Sequence, residues 1–339
     1  MANIWFNKGF SNTLNAVQSL RETFPGETLR VICTHSQEWF PSGTIADYAE
    51  REPIKIDSTD YLAYALEFCL TQKVDVFIPG RKMICLAKSR EDFERQGTRL
   101  LVAAGAETLN LLESKETQYL ACPADVPLPR WYCCRSLASF EEAHANLISQ
   151  GVQVCIKPAV SVFGLGFRTI VGPGRKQQRL FSGDRTAIDL EDCRLALSES
   201  ASFRGLMVME LLTGPERSVD CLGHHGRLVS AVVRRKNTND EPGQWIEDHP
   251  EIVHLCSILT AHFALSGIYN IQFKEDESGV SRLLEINPRM SGGLAMACAA
   301  GVNFPLWAIR LALGTAQPKD VPRSLTGFRV CLVDGVVRQ

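Results

Sequence analysis

Long apolar runs, paired cysteines at zinc-ligand spacing and an excess of one charge are all missing from this 339-residue chain. Because no run of about 18 apolar residues occurs, we expect no membrane-spanning helix. The first residues lack a basic segment followed by an apolar one, so they do not resemble a signal peptide. With 36 lysines and arginines against 38 aspartates and glutamates, the chain has no general positive field for nucleic acid. We therefore expect a cytoplasmic protein that binds neither membranes nor nucleic acid.

The 12 cysteines are scattered along the chain without any Cys-x-x-Cys pair. This pattern argues against a structural zinc site, which usually takes such pairs. Buried free thiols in a reducing compartment are the simpler interpretation. The cysteines for which an apolar setting most clearly predicts burial are Cys33, Cys69, Cys155, Cys221, Cys256 and Cys331.

Apolar strands alternate with helices in the first third of the chain, over residues 1–111. This alternation predicts an open α/β sheet with parallel pairing. Asp60 is the expected cap of the second helix. Ligands of such sheets lie beyond the carboxyl ends of the strands, where Lys8, Gly9 and Arg81 fall; Gly9 serving only a turn is an equal alternative. The strands are predicted at residues 4–6, 29–33, 53–56 and 74–80.

Two further parts are predicted after a proline-rich stretch at residues 121–129. Residues 112–207 form a central lobe and residues 208–339 a C-terminal lobe that is richer in strands. Arg234, Arg235 and Lys236 end one of these strands. They could reach a phosphate or a substrate, but a solvated basic turn is the preferred interpretation.

The strongest chemical signal is a pair of segments, NIQF at 270–273 and LEINPR at 284–289. Residues two apart in a strand share a face, so Glu285 and Asn287 point the same way. Gln272 joins them if the hairpin register allows. One carboxylate and two amide oxygens suit Mg²⁺, and Arg289 beyond the strand could stabilise developing negative charge. A surface hairpin with a polar face is the alternative.

Weaker signals lie upstream and downstream of this pair. Lys157 ends a strand and precedes a loop containing Ser161, Gly164 and Gly166, a pattern that suits a phosphate under backbone N–H groups. The loop matches neither the Walker pattern nor a dinucleotide fingerprint, and a surface lysine beside a hairpin is the alternative.

Glycines 292 and 293 precede a short helix that could either receive an anion or only pack closely.

A third signal follows in the segment MELL at 209–212. A strand end with free backbone groups could bracket a purine through Glu210, Leu211 and Leu212. Glu216 could then accept hydrogen bonds from ribose hydroxyls. Taken alone this pattern is weak, and Glu210 could be an ordinary edge residue.

In this order, the segments resemble the ATP-grasp superfamily, and most closely its branch of carbamoyl-phosphate synthetase large subunits and related carboxylate–amine ligases. The resemblance covers residues 112–314. It implies an N-terminal pre-ATP-grasp α/β domain, a small central lid lobe and a C-terminal, mainly antiparallel lobe. It further implies that ATP and Mg²⁺, with Mn²⁺ as an alternative, are cofactors. The implied metal ligands are Gln272, Glu285 and Asn287, with Arg289 assisting phosphoryl transfer.

The same resemblance implies that Lys115 and Lys157 contact the ATP phosphates. It assigns adenine to the segment from Glu210 to Leu212 and ribose to Glu216. The implied reaction converts a carboxylate into an acyl phosphate, which an amine then attacks. The partners are therefore small-molecule acids and amines, and a homodimer is the default assembly for such an enzyme.

Two departures from the family pattern keep a second hypothesis open. Gln272 stands where many members carry a carboxylate, and the glycine loop is short. A nucleotide-binding regulatory protein with little or no turnover is therefore the alternative. A nicotinamide dehydrogenase is disfavoured, because NKGFS at 7–11 is not a dinucleotide fingerprint.

Overall fold

A computed structural model of the chain describes residues 1–8, 12–23, 29–161, 164–172, 174, 181, 186–237 and 241–333. Gly9, named above at the edge of the first sheet, lies outside these residues. The chain divides into two compact units. Unit 1 comprises residues 1–110, 215–272 and 286–339, and unit 2 comprises residues 111–214 and 273–285. Within the described ranges, no helix combines the length and the apolarity needed to cross a membrane.

The first sheet is entirely parallel and lies in unit 1, as the alternation of strands and helices predicts. Its strands are β1 (Ala2–Phe6), β2 (Leu29–His35), β3 (Tyr48–Arg51), β4 (Val76–Ile78) and β5 (Arg99–Leu100). They run in the order β3-β2-β1-β4-β5. The helices between and after them are α1 (Asn12–Thr23), α2 (Ser58–Gln72), α3 (Met83–Lys88), α4 (Arg90–Arg95) and α5 (Ala106–Leu111).

Two local predictions for this sheet are wrong. The third strand is Tyr48–Arg51 rather than residues 53–56, because Pro53 has no N–H to donate and Lys55 has a φ of 57°, outside the extended region. The cap of α2 is Asp57 rather than Asp60. Its carboxylate accepts from the backbone N–H groups of Thr59 and Asp60.

The second sheet lies in unit 2 and mixes both kinds of pairing. Its strands are β6 (Trp131–Cys134), β7 (Val154–Pro158), β8 (Arg168–Val171), β9 (Ala187–Asp189) and β10 (Leu206–Glu210), in the order β6-β10-β7-β8-β9. Only the pair β8 and β9 is parallel. The accompanying helices are α6 (Lys115–Leu120), α7 (Leu137–Ser149) and α8 (Leu190–Ser198).

The third sheet has six strands in the order β15-β14-β11-β12-β13-β16. They are β11 (Glu216–His224), β12 (Arg227–Lys236), β13 (Gln244–Glu247), β14 (Gly267–Glu275), β15 (Ser281–Asn287) and β16 (Phe328–Val330). The antiparallel pairs from β11 to β16 confirm the predicted mainly antiparallel lobe. The helices are α9 (Pro250–His262), α10 (Leu294–Cys298) and α11 (Phe304–Ala312).

Apolar side chains of β1, β2, α1, α10 and α11 form the main core of unit 1. Most of the cysteines named above are buried, as predicted. Cys331 is exposed instead, and it lies just past the end of β16.

Candidate active site

Lys115, the first residue of α6, is almost completely buried and lies at the centre of a charged cluster in unit 2. Its Nζ lies 3.1 Å from Glu285 Oε2 and donates to Ser161 through the carbonyl at 3.1 Å and Oγ at 3.3 Å. Its own backbone N–H donates to the Ala159 carbonyl at 2.9 Å. We call Lys115, Ser161 and Glu285 the Lys115 cluster. It brings together three residues that the sequence predicted for phosphate and metal binding.

Lys157, on β7, contacts the strand that carries Glu285, β15. Its Nζ donates to the Leu284 carbonyl at 3.5 Å, and it lies 5.9 Å from the centroid of the Tyr119 ring. The two predicted phosphate lysines therefore contact consecutive residues of β15, Leu284 and Glu285.

Tyr119 fixes this part of β15, a role that the sequence did not reveal. Its buried hydroxyl group lies 2.8 Å from the Leu284 carbonyl and 3.1 Å from the Leu283 carbonyl. Burial, and then the neighbouring Glu285 carboxylate, raises the pKa of the phenol well above its ordinary value, so the group is a neutral donor. An aromatic residue in a short helix carries no local signal for such a contact.

The glycine loop turns as its glycines predict. Gly164 and Gly166 have φ values of 66° and 81°, a region that other residues rarely enter. A Cβ at Gly166 would also lie 2.7 Å from the Pro158 ring. Both glycines are exposed and belong to a turn in which the Phe167 N–H donates to the Gly164 carbonyl.

Two of the three residues predicted to bind adenine already form hydrogen bonds within unit 2. The Glu210 N–H donates to the Arg130 carbonyl, and the Glu210 carboxylate accepts the Arg130 N–H at 3.2 Å. The Leu211 N–H donates to the Gln153 carbonyl at 2.8 Å. Leu212 is buried, and its N–H makes no hydrogen bond to the part of the chain that the structure describes. Glu210 is therefore an anchored residue rather than an ordinary edge residue.

In unit 1, Asn270 orients the side chain of Gln272. Its amide group donates to Ser218 Oγ, the Val219 carbonyl and Asp220 Oδ1 at 3.0, 3.0 and 3.3 Å. Its Oδ1 is therefore an acceptor, and it receives Gln272 Nε2 at 3.4 Å. Because the Gln272 nitrogen is directed to Asn270, its oxygen is the atom that a cation could use.

Arg234 is buried, so the prediction of a solvated basic turn is wrong for this residue. Its guanidinium pairs with Asp220 at 2.7 Å and donates to Ser218 at 3.2 Å and Ser291 at 3.1 Å, and also to Gln244. We call these five residues the Arg234 network. Burial is tolerated because each nitrogen of the guanidinium has a partner.

The neighbouring residues of that segment belong to a more exposed set of ion pairs. Arg235 pairs with Glu247 and Lys236 with Glu216. Glu216, predicted to bind ribose, therefore forms an ion pair with Lys236 of β12 within unit 1.

β15 begins in unit 2 and ends in unit 1. The remaining predicted residues, Asn287 and Arg289, lie at and just after its end. Glu285 belongs to unit 2, whereas Asn287 and Arg289 belong to unit 1. The Arg289 N–H donates to the Asn287 carbonyl at 2.7 Å, and its guanidinium donates to the Met290 carbonyl at 3.0 Å. The grouping of Gln272, Glu285 and Asn287 around one metal stays a prediction. Among the described residues, no cluster of histidine, cysteine and acidic side chains offers another metal site.

Arg289 also lines a small cavity of about 30 Å³ in unit 1. Asn7 and Gly80 contribute to it from beyond β1 and β4, and Asn12 from the start of α1. The Asn12 amide donates to the Met290 carbonyl at 2.7 Å. The cavity therefore lies at the carboxyl ends of parallel strands, where ligands of such sheets bind.

Residues 202–336 match the model of a family described as ATP-grasp in the biosynthetic pathway with Ter operon. No curated protein matched the sequence. Among solved structures, an L-amino acid ligase from Bacillus licheniformis has a TM-score of 0.64 at 13% identity, covering 92% of this chain and 74% of that protein.

Two further structures contain nucleotide. N5-carboxyaminoimidazole synthetase from Staphylococcus aureus, complexed with ADP, has a TM-score of 0.64 at 14% identity, covering 91% of this chain and 77% of that one. The biotin carboxylase domain of Hydrogenobacter thermophilus 2-oxoglutarate carboxylase, with MgADP, has a TM-score of 0.61 at 15% identity, covering 92% and 69%. These likenesses show that the chain has the same fold as these three proteins.

Proposed function

We propose that this protein is an ATP-dependent ligase that activates a carboxylate as an acyl phosphate and couples it to an amine. The observation that carries the proposal is the Lys115 cluster, together with Lys157 at the adjacent residue of β15. Within an ATP-grasp fold, this arrangement gathers two cations and a carboxylate where a metal–triphosphate would need them. The L-amino acid ligase with the same fold supports the assignment to carboxylate–amine chemistry.

Lys115 and Glu285 can exchange partners when Mg-ATP binds. The Lys115 side chain is 8% exposed and that of Glu285 is 23% exposed, so the carboxylate is accessible from one side. Lys115 would then neutralise phosphate oxygens while Glu285 takes the metal, and neither charge would be left buried without a partner. Lys157 would add a second point charge on the phosphates.

The donor set for the metal fits Mg²⁺. Glu285 offers a carboxylate, and the oriented Gln272 offers an amide oxygen; Asn287 would supply a third oxygen. Mg²⁺ prefers such hard oxygen ligands and usually completes its shell with water and phosphate oxygens. When bound, it would neutralise charge on the triphosphate. The MgADP in the structurally similar carboxylase domain supports this choice of cofactor.

Three groups of this chain would act on the reacting molecules. Lys115 and Lys157 would hold the phosphates in line with the carboxylate, and Arg289 would stabilise the negative charge on the activated acid. The loop with Gly164 and Gly166 would limit the access of water, which would otherwise hydrolyse the acyl phosphate. Adenine would take backbone groups near Leu212, since the Leu211 N–H already donates to Gln153.

The test is release of ADP from Mg-ATP in the presence of pooled small carboxylates and amines. We expect ADP release by the wild-type chain with at least one pool, and none by the Glu285→Gln variant. Glu277→Gln is the matched control, because Glu277 is an exposed residue of the adjoining hairpin and should leave the rate unchanged. Nucleotide binding without ADP release in every pool would favour the regulatory alternative, and equal rates in both variants would contradict the site.

A further inference from the structure

A second cavity, of about 360 Å³, lies within unit 1, and none of its lining residues is predicted above for nucleotide or metal. Four parts of the unit line it: α4 with β5 and the segment after it, the turn between β11 and β12, the start of β14, and α11. Five of its lining residues carry charged or titratable side chains. They are Arg90, Glu94, Arg99, His224 and His225.

The two arginines of this cavity have no carboxylate partner within the described part of the chain. Arg90 is half-buried, and its guanidinium donates to the Leu100 carbonyl at 2.9 Å. That contact fixes the side chain but leaves its charge unneutralised. Arg99 is exposed and forms no ion pair among the described residues. Buried or half-buried arginines elsewhere in unit 1 are neutralised differently, as in the pairing of Arg217 with Glu247.

The turn that carries the two imidazoles is tightly packed. The rings of His224 and His225 lie 4.2 Å apart, and His225 has a φ of 49°, an uncommon conformation for a residue with a side chain. The His225 N–H donates to Ser266 Oγ. A Cβ at Gly223 would lie 2.8 Å from the Leu265 carbonyl, so the hairpin cannot easily shift. The backbone that carries the two imidazoles is thus held in place at the cavity.

We propose that this cavity binds a small polyanion, such as a phosphorylated or polycarboxylate metabolite, at a site separate from the ATP site. Two guanidinium groups can each form paired hydrogen bonds with a phosphate or a carboxylate. The imidazoles add hydrogen-bonding groups; partial burial, and then the adjacent His225, lowers the pKa of His224, so its ring is uncharged at neutral pH. Among the described residues that line the cavity, Glu94 carries the one carboxylate, and it opposes anion binding without preventing it.

Calorimetric titration of the full chain with inorganic phosphate, and separately with citrate, tests this proposal. The two probes distinguish a preference for phosphate groups from one for carboxylates. Because Arg99→Gln removes charge-assisted hydrogen bonds to the anion, we expect it to weaken binding about tenfold or more. Glu94→Gln should change affinity in the opposite direction and tighten binding several-fold, since it removes the opposing charge. His225→Asn, which tolerates the same backbone conformation, should weaken binding without affecting the turn.

The controls separate this site from the proposed active site. Arg95→Gln removes an exposed cation from the same helix that does not line the cavity, and its affinity should equal that of the wild-type chain. Lys157→Ala should also leave the affinity for citrate unchanged. The proposal is overturned if the wild-type chain binds neither probe at millimolar concentration, if Arg99→Gln binds as tightly as Arg95→Gln, or if Lys157→Ala alone abolishes binding.

Discussion

The Lys115 cluster of unit 2 and the Arg234 network of unit 1 are both built around a buried cation, but they differ in how completely it is enclosed. The side chains of Arg234 and Asp220 are 2% and 0% exposed. In the Lys115 cluster, Glu285 is 23% exposed, so that water and ligands can reach it. The first arrangement is closed to solvent and stabilises the fold, whereas we propose that the second changes partners and takes part in a reaction.

The largest expected effect is on catalysis, at the accessible carboxylate. Glu285→Ala should reduce Mg-ATP-dependent turnover at least about 10³-fold, because it removes the only carboxylate proposed for the metal. The variant should still unfold cooperatively, at a lower free energy of unfolding, because the buried Lys115 loses its carboxylate partner while keeping its hydrogen bonds to Ser161. Steady-state ADP release and a thermal unfolding curve measure the two effects. Normal turnover in this variant would remove the basis for the metal assignment.

The next effect is on stability, at the sealed network. Arg234→Met leaves Asp220 buried without its cation, and we expect it to lower the free energy of unfolding by about 3–5 kcal/mol. Arg235→Met is the matched control; its ion pair with Glu247 is partly exposed, so we expect a loss of at most about 1 kcal/mol. Denaturant unfolding of both variants gives the comparison. Similar losses of stability in the two variants would show that the Arg234 network contributes no more than a partly exposed ion pair.

A glycine next to the network should show how tightly it is packed. A Cβ at Gly293 would lie 2.4 Å from Arg234 Nη1, whereas a Cβ at Gly292 would meet no atom within 4 Å. Gly293→Ala should therefore lower the free energy of unfolding by about 1–3 kcal/mol through overpacking. Gly292→Ala should be close to neutral in the same denaturant titration. A neutral Gly293→Ala would show that the guanidinium can move.

A smaller catalytic effect is expected at the second lysine of the proposed active site. Lys157→Ala should raise the KM for ATP, or lower kcat, about tenfold, because one point charge on the phosphates is lost while Lys115 remains. Steady-state kinetics at varied ATP measure this change. Exposed Lys319 provides a control of the same charge, for which Lys319→Ala should leave the ATP titration unchanged. An unchanged titration for Lys157→Ala as well would contradict the assignment.

The smallest effect should come from the hairpin between β14 and β15. Burial acts to raise the pKa of Asp276, but hydrogen bonds from Ser278, Val280 and Arg282 outweigh it and lower the pKa from 3.8 to about 2. A lowered folded-state pKa stabilises the protein above the unfolded value, and this contribution is lost as the pH falls toward 2.

Asp276→Asn tests this contribution directly. At pH 7 the variant should be less stable than the wild-type chain by about 1 kcal/mol. The difference should shrink as the pH is lowered through 4 toward 2, because the wild-type carboxyl group then becomes protonated. Denaturant unfolding at several pH values measures it. A difference that is constant with pH would assign the effect to geometry rather than to charge.

Local patterns in the sequence were sufficient for much of the fold. Alternating strands and helices predicted the parallel sheet of unit 1, and the glycine positions predicted the turn at Gly164 and Gly166. Two predictions were wrong because a local detail had been misjudged: Pro53 cannot donate to a strand, and Asp57 caps α2 in place of Asp60. The division into parts at residues 1–111, 112–207 and 208–339 stays a prediction.

Contacts between distant residues could not be predicted in this way. Arg234 is buried because Asp220 and Ser291, which lie 14 and 57 positions away, supply its partners. Single-sequence reasoning places charged residues at the surface by default, so it missed this network. Tyr119 was missed for the same reason, since its partners at Leu283 and Leu284 are more than 160 positions away.

The most direct test is a crystal structure with Mg²⁺ and a non-hydrolysable ATP analogue. We expect the Nζ atoms of Lys115 and Lys157 to contact phosphate oxygens, and Glu285 to leave Lys115 and bind the metal together with Gln272 and Asn287. A nucleotide bound elsewhere, or a Lys115–Glu285 pair that persists beside the bound nucleotide, would contradict the account.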